Sequence, residues 1–384
     1  NRAAEAKNVT GTSQEEEKQK LQNYEDTINQ YAPDSTGGNG GGDDKKLPES
    51  AKGQPAGTEI KNPYGENANA KAIADGTGKY FALPDGASYD GTTTVDGGAV
   101  ITIRESKFVW VPVEEAIYKE AKKDDMPKSA ADWTTKKYTP MAIKVDDTNY
   151  SGILYDYSGS SAYLKYPGAT NYQGTSSQYR EPDVVSYDSQ SSYLKYGITK
   201  EGENGLQAQY NKMVASVEKY GGFYVAQYEA GIQNGKVVFK NAHTTEGVTT
   251  LDATQNSANM WYGLYQKMAS FTEAGDKFVS SMIWGSQYDA MMNWMAKSDK
   301  TVGTANKDIQ NNTYVTGTSP SDVINNVYDL YGCHREWTLE ADDTSYRVLR
   351  GGNSGNNYSP SRRSINYPSN TYDLYSSRAT LYIM

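Results

Sequence analysis

The 384-residue sequence contains very little cysteine and histidine, with one Cys at position 333 and two His at positions 243 and 334. A single cysteine excludes a disulfide within the chain and a zinc site built from cysteines alone. Two histidines exclude a three-histidine iron or zinc centre. A Ser-His-Asp catalytic site is still possible, but it would have to use His243 or His334. The low cysteine content does not by itself assign the chain to the cytosol.

Positive charge and long apolar runs are also scarce. Lys and Arg total 38 against 47 Asp and Glu, which gives a formal net charge of −9. This balance disfavours a general nucleic-acid binder, because affinity for phosphate backbones requires clustered basic residues. No run in the sequence approaches the roughly 18 apolar residues of a membrane span. These 384 residues therefore contain no membrane-embedded body.

Tyrosine and glycine are abundant instead. The chain has 33 Tyr against 6 Phe, and 36 Gly. The hydrophobic fraction is 36%, below the roughly 45–50% that is usual for globular chains. Most aromatic side chains therefore carry a hydroxyl group, which suits hydrated surfaces better than dry cores.

The first segment, residues 1–32, is predicted to be a helix. Ser13 and Glu16 have the spacing of a capping box, and a narrow apolar stripe is formed by Leu21, Tyr24, Ile28 and Tyr31. One interpretation is a solvated surface helix. The other is an anchor or stalk remnant, because residues 1–17 resemble the part of a type IV pilin-like protein that follows its hydrophobic N-terminal helix. Under this second interpretation we expect an anchor to precede Asn1.

A tether follows this helix. Residues 33–59 contain five Gly between positions 37 and 42 and almost no apolar side chain, a composition typical of flexible linkers. We therefore expect residues 1–59 to lie outside the core, and we place the body at 60–384.

The body alternates short strand and helix patterns. β-branched and aromatic runs predict strands, and apolar residues at helical spacing predict helices. The Asn234-Gly235 pair predicts a hairpin turn. The expected strands are 99–103, 108–113, 223–229 and 236–239, and the expected helices are 205–220, 257–270 and 286–296. The last helix carries a stripe of Tyr288, Met291, Met292 and Met295, which we assign to the core.

Six segments then occur in an order that resembles the formylglycine-generating-enzyme and sulfatase-modifying-factor family, a branch of the C-type lectin fold. They are FVWVPV at 108–113, GGFYVAQYEAG at 221–231, IWGSQYDAMMNWM at 283–295, NVYDLYGCHREWTLE at 326–340, YRVLRGGN at 346–353 and SSRATLYI at 376–383. The resemblance implies an α+β C-type-lectin-like domain with long loop insertions. It also implies that strand 108–113 pairs with strand 379–383 and closes the domain.

The chemistry of that family is not expected here. Formylglycine-generating enzymes use a pair of cysteines after the RGG motif, whereas residues 353–384 contain no Cys. Sulfoxide-synthase relatives use three histidines, which this chain lacks. Cys333, His334 and Glu336 suggest a nucleophilic group, but neighbouring residues on a strand point to opposite faces. We therefore predict that these side chains do not converge, and that the protein is not an enzyme.

The tail has an unusual composition. Of the 24 residues at 353–376, 15 are Asn, Tyr or Ser. Tyrosine supplies a large contact area at low entropic cost, and small polar residues supply adaptable hydrogen bonds, so this mixture is typical of recognition surfaces. The tail resembles the variable region of diversity-generating-retroelement target proteins, whose randomised Asn-type codons cluster on a ligand-binding face of the same fold. A long solvated loop is the alternative.

Arginine is concentrated near the same end, with six of nine Arg in the last 50 residues. We assign Arg350 and Arg378 to the scaffold, paired with carboxylates such as Glu229 or Glu336. We assign Arg362 and Arg363 to binding, because Arg and Tyr are frequent interface hot spots.

We therefore predict a ligand-binding surface protein or adhesin whose variable tail spans about 333–376. Trp337, Arg350, Gly351 and Gly352 are expected to support the binding face. Its predicted residues are His334, Arg335, Ser354, Asn356, Asn357, Tyr358, Arg363, Ser364, Asn366, Tyr367, Asn370, Tyr372, Asp373 and Tyr375.

The expected partner is a protein or glycan on a host, phage or bacterial surface, and the expected location is extracellular, on the cell surface or a pilus. No cofactor, metal or nucleic acid is expected. Calcium occurs in parts of the C-type lectin fold, but this sequence shows no EF-hand-like ligand spacing. A structural pilus or cell-surface subunit is the first alternative. An enzyme of the same family without its paired cysteines is the second.

Overall fold

The strands of the body form several small ladders around one larger antiparallel sheet. The computed structural model of the chain describes residues 51–113, 116–118, 141–144, 150–152, 155–158, 161–164, 172–173, 190–200, 202–251, 260–298, 314–341, 346–355, 358–360 and 362–384. All of them belong to one unit, Leu47–Met384. The helix predicted for 1–32 lies outside the described residues. Within the described part of the chain, no helix is both long enough and apolar enough to cross a membrane.

Strands outnumber helices, so the architecture is mixed α and β with sheets predominating. The strands are β1 (Ala70–Ala74), β2 (Tyr80–Pro84), β3 (Ser88–Tyr89), β4 (Val100–Ile103), β5 (Ser106–Pro112), β6 (Ala116–Tyr118), β7 (Met141–Lys144), β8 (Tyr150–Gly152), β9 (Tyr155–Ser158), β10 (Ser161–Leu164), β11 (Tyr172–Gln173), β12 (Gly222–Ala226), β13 (Gly231–Gln233), β14 (Lys236–Val238), β15 (Thr249–Thr250), β16 (Phe278–Met282), β17 (Val323–Ile324), β18 (Val327–Tyr328), β19 (Arg335–Ala341), β20 (Arg347–Arg350), β21 (Arg363–Asn366), β22 (Tyr375–Ser377) and β23 (Ala379–Ile383). The helices are α1 (Gln190–Lys195), α2 (Leu206–Tyr220), α3 (Trp261–Ala269) and α4 (Gly285–Ser298).

The central sheet has six strands in the order β16-β23-β12-β5-β4-β3. β5 is buried along most of its length and pairs with β12, from Gly222 opposite Pro112 to Ala226 opposite Phe108. β12 pairs in turn with β23. The prediction that segment 108–113 pairs directly with 379–383 is therefore wrong, because β12 lies between the two strands of the same sheet.

A second sheet has four strands in the order β21-β20-β19-β22. β19 pairs antiparallel with β20 and parallel with β22. β22 and β23 are consecutive in the chain and are separated by Arg378 alone. The chain therefore passes from the second sheet into the central sheet at this single residue.

Helix α2 agrees closely with the sequence pattern. It ends at Tyr220, and Gly221 follows in the left-handed region at φ 76°, with its N–H donating to the Val217 carbonyl. Its buried face is formed by Leu206, Tyr210, Met213, Ser216, Val217 and Tyr220. Left-handed backbone at a helix C-terminus favours glycine because no Cβ clashes there. The predicted boundary and the predicted apolar face are both confirmed.

The other helices and the hairpin are also found close to their predicted positions. The hairpin β13–β14 turns at Asn234 and Gly235, both with positive φ. α3 begins at Trp261, and residues 257–259 of the predicted helix lie outside the described residues. The predicted core assignment of the α4 stripe is confirmed, because Tyr288, Met291, Met292 and Met295 are all 0% exposed.

The predicted linker extends too far along the chain. Ala51 and Ile60 are buried with Ala72 and Ala74 of β1 in a small apolar cluster. The Gly57 N–H donates to the Ala74 carbonyl at 2.9 Å. Residues 51–59 therefore pack against the body, which begins before residue 60.

Close packing at Gly222 provides a test of the central sheet. A Cβ at this position would lie 2.4 Å from Trp110 Cζ2 and 2.5 Å from the Val111 carbonyl oxygen. We expect Gly222→Ala to lower the free energy of unfolding by about 3 kcal/mol or more, because overpacking against backbone cannot be relieved by a rotamer change. Chemical denaturation would measure it.

Gly275→Ala is the matched control, because Gly275 has positive φ, yet a Cβ at this position would meet no other atom within 4 Å. It should cost only about 1 kcal/mol of backbone strain. Equal losses for the two variants would contradict the predicted clash.

Candidate functional site

The tail residues are arranged along the second sheet. In β21, Asn366 lies opposite Arg347 and Ser364 lies opposite Leu349 of β20. In β22, Tyr375 lies opposite Arg335 of β19. The sheet therefore brings residues that are up to 40 positions apart in sequence to one region of the fold.

Tyrosine and asparagine side chains in this region contact one another. The Tyr346 hydroxyl donates to the Tyr367 hydroxyl at 2.8 Å, and the centroids of the two rings are 4.5 Å apart. Asn366 Nδ2 donates to the Tyr375 hydroxyl at 2.8 Å. The Tyr372 ring lies 5.3 Å from the Tyr375 ring. These contacts form a connected surface rather than a set of independent loops.

Two arginines extend this surface around Tyr358. The Arg362 guanidinium lies 3.4 Å from the Tyr358 ring centroid, and the Arg335 guanidinium lies 4.7 Å from it. Such cation–π contacts orient a guanidinium without requiring an acidic partner. We call the whole set the tail cluster: Arg335, Tyr346, Tyr358, Arg362, Asn366, Tyr367, Asn370, Tyr372 and Tyr375.

Exposure separates the predicted site residues into two groups. Tyr367 and Tyr372 are 48% and 52% exposed. Asn370 and Asp373 are also exposed, and the half-buried members are Arg335, Tyr358, Ser364 and Asn366. Asn356 and Asn357 lie outside the described residues. Arg363 is placed on β21, but its side chain is not described.

Three predicted surface residues are buried instead, namely His334, Ser354 and Tyr375. Tyr375 packs edge-on against Trp337 with 5.4 Å between ring centroids, so its ring supports the surface from below. The Ser354 N–H donates to the Cys333 carbonyl at 2.9 Å. These residues therefore do not lie on the exposed face that the sequence predicted.

The predicted scaffold residues are buried, as expected. Trp337 and Arg350 are 0% exposed, and Gly351 and Gly352 are buried with them. The Arg350 guanidinium lies 3.5 Å from Glu340, a carboxylate that the sequence analysis did not name.

Arg378 is the most extensively bonded of the scaffold arginines. Its Nη2 donates to Glu336 Oε1 at 2.6 Å and to the Tyr328 carbonyl at 2.7 Å. Its Nη1 donates to the carbonyls of Ala226 and Gln227 at 2.8 and 3.0 Å. The predicted pairing of Arg378 with Glu336 is confirmed. Burial raises the pKa of Glu336, and the Arg378 guanidinium opposes part of that rise.

Further carboxylates surround this pair, and we call the set the buried charged cluster: Glu229, Asp322, Asp329, Glu336 and Arg378. Asp329 Oδ2 accepts hydrogen bonds from the Thr316 hydroxyl and the Gly317 N–H. Burial, and then the charge of Glu229, raise the pKa of Asp329 to about 8. Burial also raises the pKa of Asp322 to about 6, against the lowering effect of backbone N–H groups from Tyr331 and Gly332.

The prediction that Cys333 and His334 do not converge is wrong. Cys333 Sγ lies 3.2 Å from His334 Nδ1, and His334 Nδ1 lies 2.7 Å from Glu229 Oε2. Cys333 precedes β19 and has φ 56°, in the left-handed region, so the alternation of a strand does not apply to it. Burial and the charge of Glu229 raise the pKa of the Cys333 thiol, which opposes nucleophilic chemistry.

Sequence reasoning did not single out Tyr346 as a site residue or Glu229 as a partner of His334. Arg347 lies opposite Asn366, so the β20–β21 register brings Tyr346 beside Tyr367. The pattern of either strand alone does not specify that register. Glu229 is the last residue of a predicted strand, yet its approach to His334 spans 105 positions in sequence.

The chain was compared with protein-family models, with curated proteins and with solved structures, and none of these comparisons found a match.

Loss of Arg378 should be costly. We expect Arg378→Met to lower the free energy of unfolding by about 3–5 kcal/mol, because it leaves the buried Glu336 carboxylate without its counter-charge. Lys71→Met is the matched control, since Lys71 pairs with Glu59 at an exposed position, where ion pairs contribute little. Denaturant unfolding of both variants tests this, and a small effect of Arg378→Met would show that the pair is dispensable.

Asp329 should make stability depend on pH. Its pKa is about 8 in the folded protein against 3.8 for an unperturbed Asp, so the folded state holds a proton that the unfolded state releases. Stability from this group is therefore complete below about pH 4 and is lost as the pH rises toward about 8. Asp322 adds a smaller loss between about pH 4 and 6.

The test is the free energy of unfolding of wild type and Asp329→Asn between about pH 4 and 9. The variant should show a flatter profile than wild type, because Asn does not ionise. An unchanged slope would contradict the raised pKa of Asp329.

Proposed function

We propose that the protein is a ligand-binding surface protein or adhesin of the diversity-generating-retroelement variable type, built on a C-type-lectin-like domain related to formylglycine-generating enzymes. The tail cluster forms its recognition face. Its partner is a protein or glycan on a host, phage or bacterial surface, and the protein acts outside the cell, on the cell surface or a pilus.

The observation that carries this proposal is that the tail combines the residue composition of a recognition surface with tyrosine side chains exposed to solvent. Tyr367 and Tyr372 present about half of their surface to solvent while contacting other members of the cluster. Exposed tyrosines beside small polar residues are typical of paratopes, where they provide contact area at low entropic cost.

The support beneath the cluster is rigid, which also favours recognition. Tyr375 packs on Trp337, and Arg347 of the neighbouring strand donates to the Leu339 carbonyl at 2.8 Å. A face carried on buried elements loses little freedom on binding, so less of the interaction energy is spent on ordering it.

Two alternatives remain. A structural pilus or cell-surface subunit would use the same cluster for contacts between copies. An enzyme of the formylglycine-generating family is less well supported, because the single thiol is buried and its pKa is raised. We therefore propose that the protein is not an enzyme.

Genetic variation distinguishes the proposed variable ligand-binding protein from a structural pilus or cell-surface subunit. Sequencing the 3′ end of the gene from many cells of one population should reveal substitutions concentrated at codons for tail residues such as Tyr367 and Tyr372, with Trp337 and Arg350 unchanged. A neighbouring reverse transcriptase and a near-copy of the tail with Asn codons are expected. An invariant tail without such a copy would favour the structural subunit.

Binding tests the cluster itself. The purified protein would be applied to a glycan array and to panels of intact bacterial and host cells. The double variant Tyr367→Ala/Tyr372→Ala should weaken any observed binding at least about 10-fold, because aromatic hot spots contribute about 2 kcal/mol or more. Each substitution should change stability by no more than about 0.5 kcal/mol, because both side chains are exposed.

Leu194→Ala is the matched control, since Leu194 is 58% exposed and lies outside the tail. It should leave both binding and stability unchanged. Equal binding by the double variant and wild type would contradict the proposed face.

A further inference from the structure

Three side chains of different metal-binding chemistry meet beneath the tail cluster. Glu229, Cys333 and His334 each offer one candidate ligand atom, and the three atoms lie within 4.8 Å of one another. Nδ1 of His334 is 2.7 Å from Glu229 Oε2 and 3.2 Å from Cys333 Sγ. All three residues are buried, with at most 1% exposure.

Backbone contacts hold this arrangement in place. The His334 N–H donates to Glu229 Oε1 at 3.0 Å, which turns Oε2 toward the imidazole ring. The Glu229 N–H donates to the Thr316 hydroxyl at 3.1 Å. The Ser354 N–H donates to the Cys333 carbonyl, and the positive φ of Cys333 directs its side chain back toward His334. The three candidate ligand residues are therefore held in place by the surrounding backbone as well as by their contacts with one another.

All three donor types are ones that zinc accepts. Protein zinc sites use thiolate at about 2.3 Å, imidazole nitrogen at about 2.0–2.1 Å and carboxylate oxygen at about 2.0–2.2 Å, in tetrahedral geometry. Those bond lengths require about 3.3–3.6 Å between ligand atoms. The two distances at His334 Nδ1 would have to lengthen by only a few tenths of an ångström to about 0.6 Å, which small side-chain rotations provide.

The charge of the surroundings favours a cation. The buried charged cluster holds four carboxylates and one guanidinium, and the carboxylates of Glu229, Asp322 and Asp329 all act electrostatically on Cys333. Burying so many acidic groups around Arg378 is unfavourable; protonation of Asp329 offsets part of this cost, and positive charge bound beside them would offset more. A divalent ion bound at Glu229, Cys333 and His334 would supply that charge.

We propose that Glu229, Cys333 and His334 bind one zinc ion, with the fourth coordination position left to a water molecule. The ion joins the segment after β12 to the start of β19. Because Arg335 of the tail cluster directly follows His334, the ion also rigidifies the base of the recognition face. This site revises the sequence-based expectation that the protein binds no metal, and it does not depend on the proposed recognition function.

Binding can be written with its protons balanced. The Cys333 thiol loses its proton to solvent as the sulfur–zinc bond forms. The proton that His334 Nδ1 shares with Glu229 Oε2 leaves Nδ1, and the neutral ring is protonated on Nε2 instead, so that the Nδ1 lone pair binds the ion. Glu229 Oε2 exchanges its hydrogen bond from His334 for a bond to zinc. No redox change is involved, since zinc has a single stable oxidation state in proteins.

The site lies close to the surface despite its burial. The Tyr314 ring centroid is 5.9 Å from that of His334, and Tyr314 is 45% exposed. A solvent-exposed side chain therefore lies directly beside the imidazole ring.

Cobalt substitution provides a direct test. The tag-free full chain, treated with a chelator and then dialysed, would be titrated separately with Zn²⁺ and Co²⁺. We expect one equivalent of each metal to bind, and the cobalt form to show a thiolate-to-metal charge-transfer band in the near ultraviolet. Cys333 is the only cysteine in the chain, so this band reports on it alone.

Variants identify the other ligands. Cys333→Ser should abolish the band, and Cys333→Ser, His334→Gln and Glu229→Gln should each weaken zinc binding more than about 100-fold, since even groups outside the ligand set contribute about 10–100-fold. His243→Gln is the matched control, because His243 is the other histidine of the chain and lies outside this cluster. It should bind zinc as wild type does.

Two results would overturn the proposal. One is a folded wild-type protein that binds no zinc or gives no charge-transfer band with cobalt. The other is a folded Cys333→Ser variant with wild-type affinity for zinc. If the variants fail to fold, as judged by circular dichroism, the wild-type cobalt spectrum and metal stoichiometry decide the question alone.

Discussion

The buried guanidinium of Arg378 is the interaction on which the rest of the structure depends. It lies at the residue where the chain leaves the second sheet and enters the central sheet. Its hydrogen bonds reach the end of β12, the hairpin strand β18 and Glu336 of β19. Because the Arg378 guanidinium is buried away from solvent, it needs these hydrogen-bond partners: an unpaired buried charge costs several kcal/mol. The hydrogen bonds of Arg378 therefore link the second sheet to the central sheet.

Even with Arg378 paired, the interior of the protein contains more buried acidic groups than basic ones. Asp322 and Asp329 are buried near Glu229, and their pKa values rise because water no longer solvates their charged forms. Protonation of Asp329 relieves part of the repulsion at low pH, and the proposed zinc ion would relieve another part. The proposed recognition face thus lies near a polar interior whose charge depends on pH, and the proposed zinc ion would change that charge further.

Local patterns predicted many elements well. The apolar spacing of α2 and the glycine after it define a helix whose burial depends on few distant contacts, and the Asn-Gly pair defines its hairpin directly. Other elements depend on context. The string Tyr-Leu-Lys-Tyr occurs twice, yet Tyr163 and Leu164 lie in strand β10 while Tyr193 and Leu194 lie in helix α1. The partner of β5 was likewise predicted wrongly, because the pleat of a strand specifies which face is buried but not which strand lies beside it.

The sequence by itself determined which chemistries are out of reach, because one thiol and two imidazoles cannot form the centres that need more. It also determined that the tail is rich in the residue types of recognition surfaces. Only the tertiary structure decided that Tyr375 and His334 point inward and that Glu229, Cys333 and His334 meet. The reason is geometric: a left-handed residue before β19 and a contact across 105 positions bring these groups together. Neither a backbone angle nor a long-range register is encoded in the order of neighbouring residues.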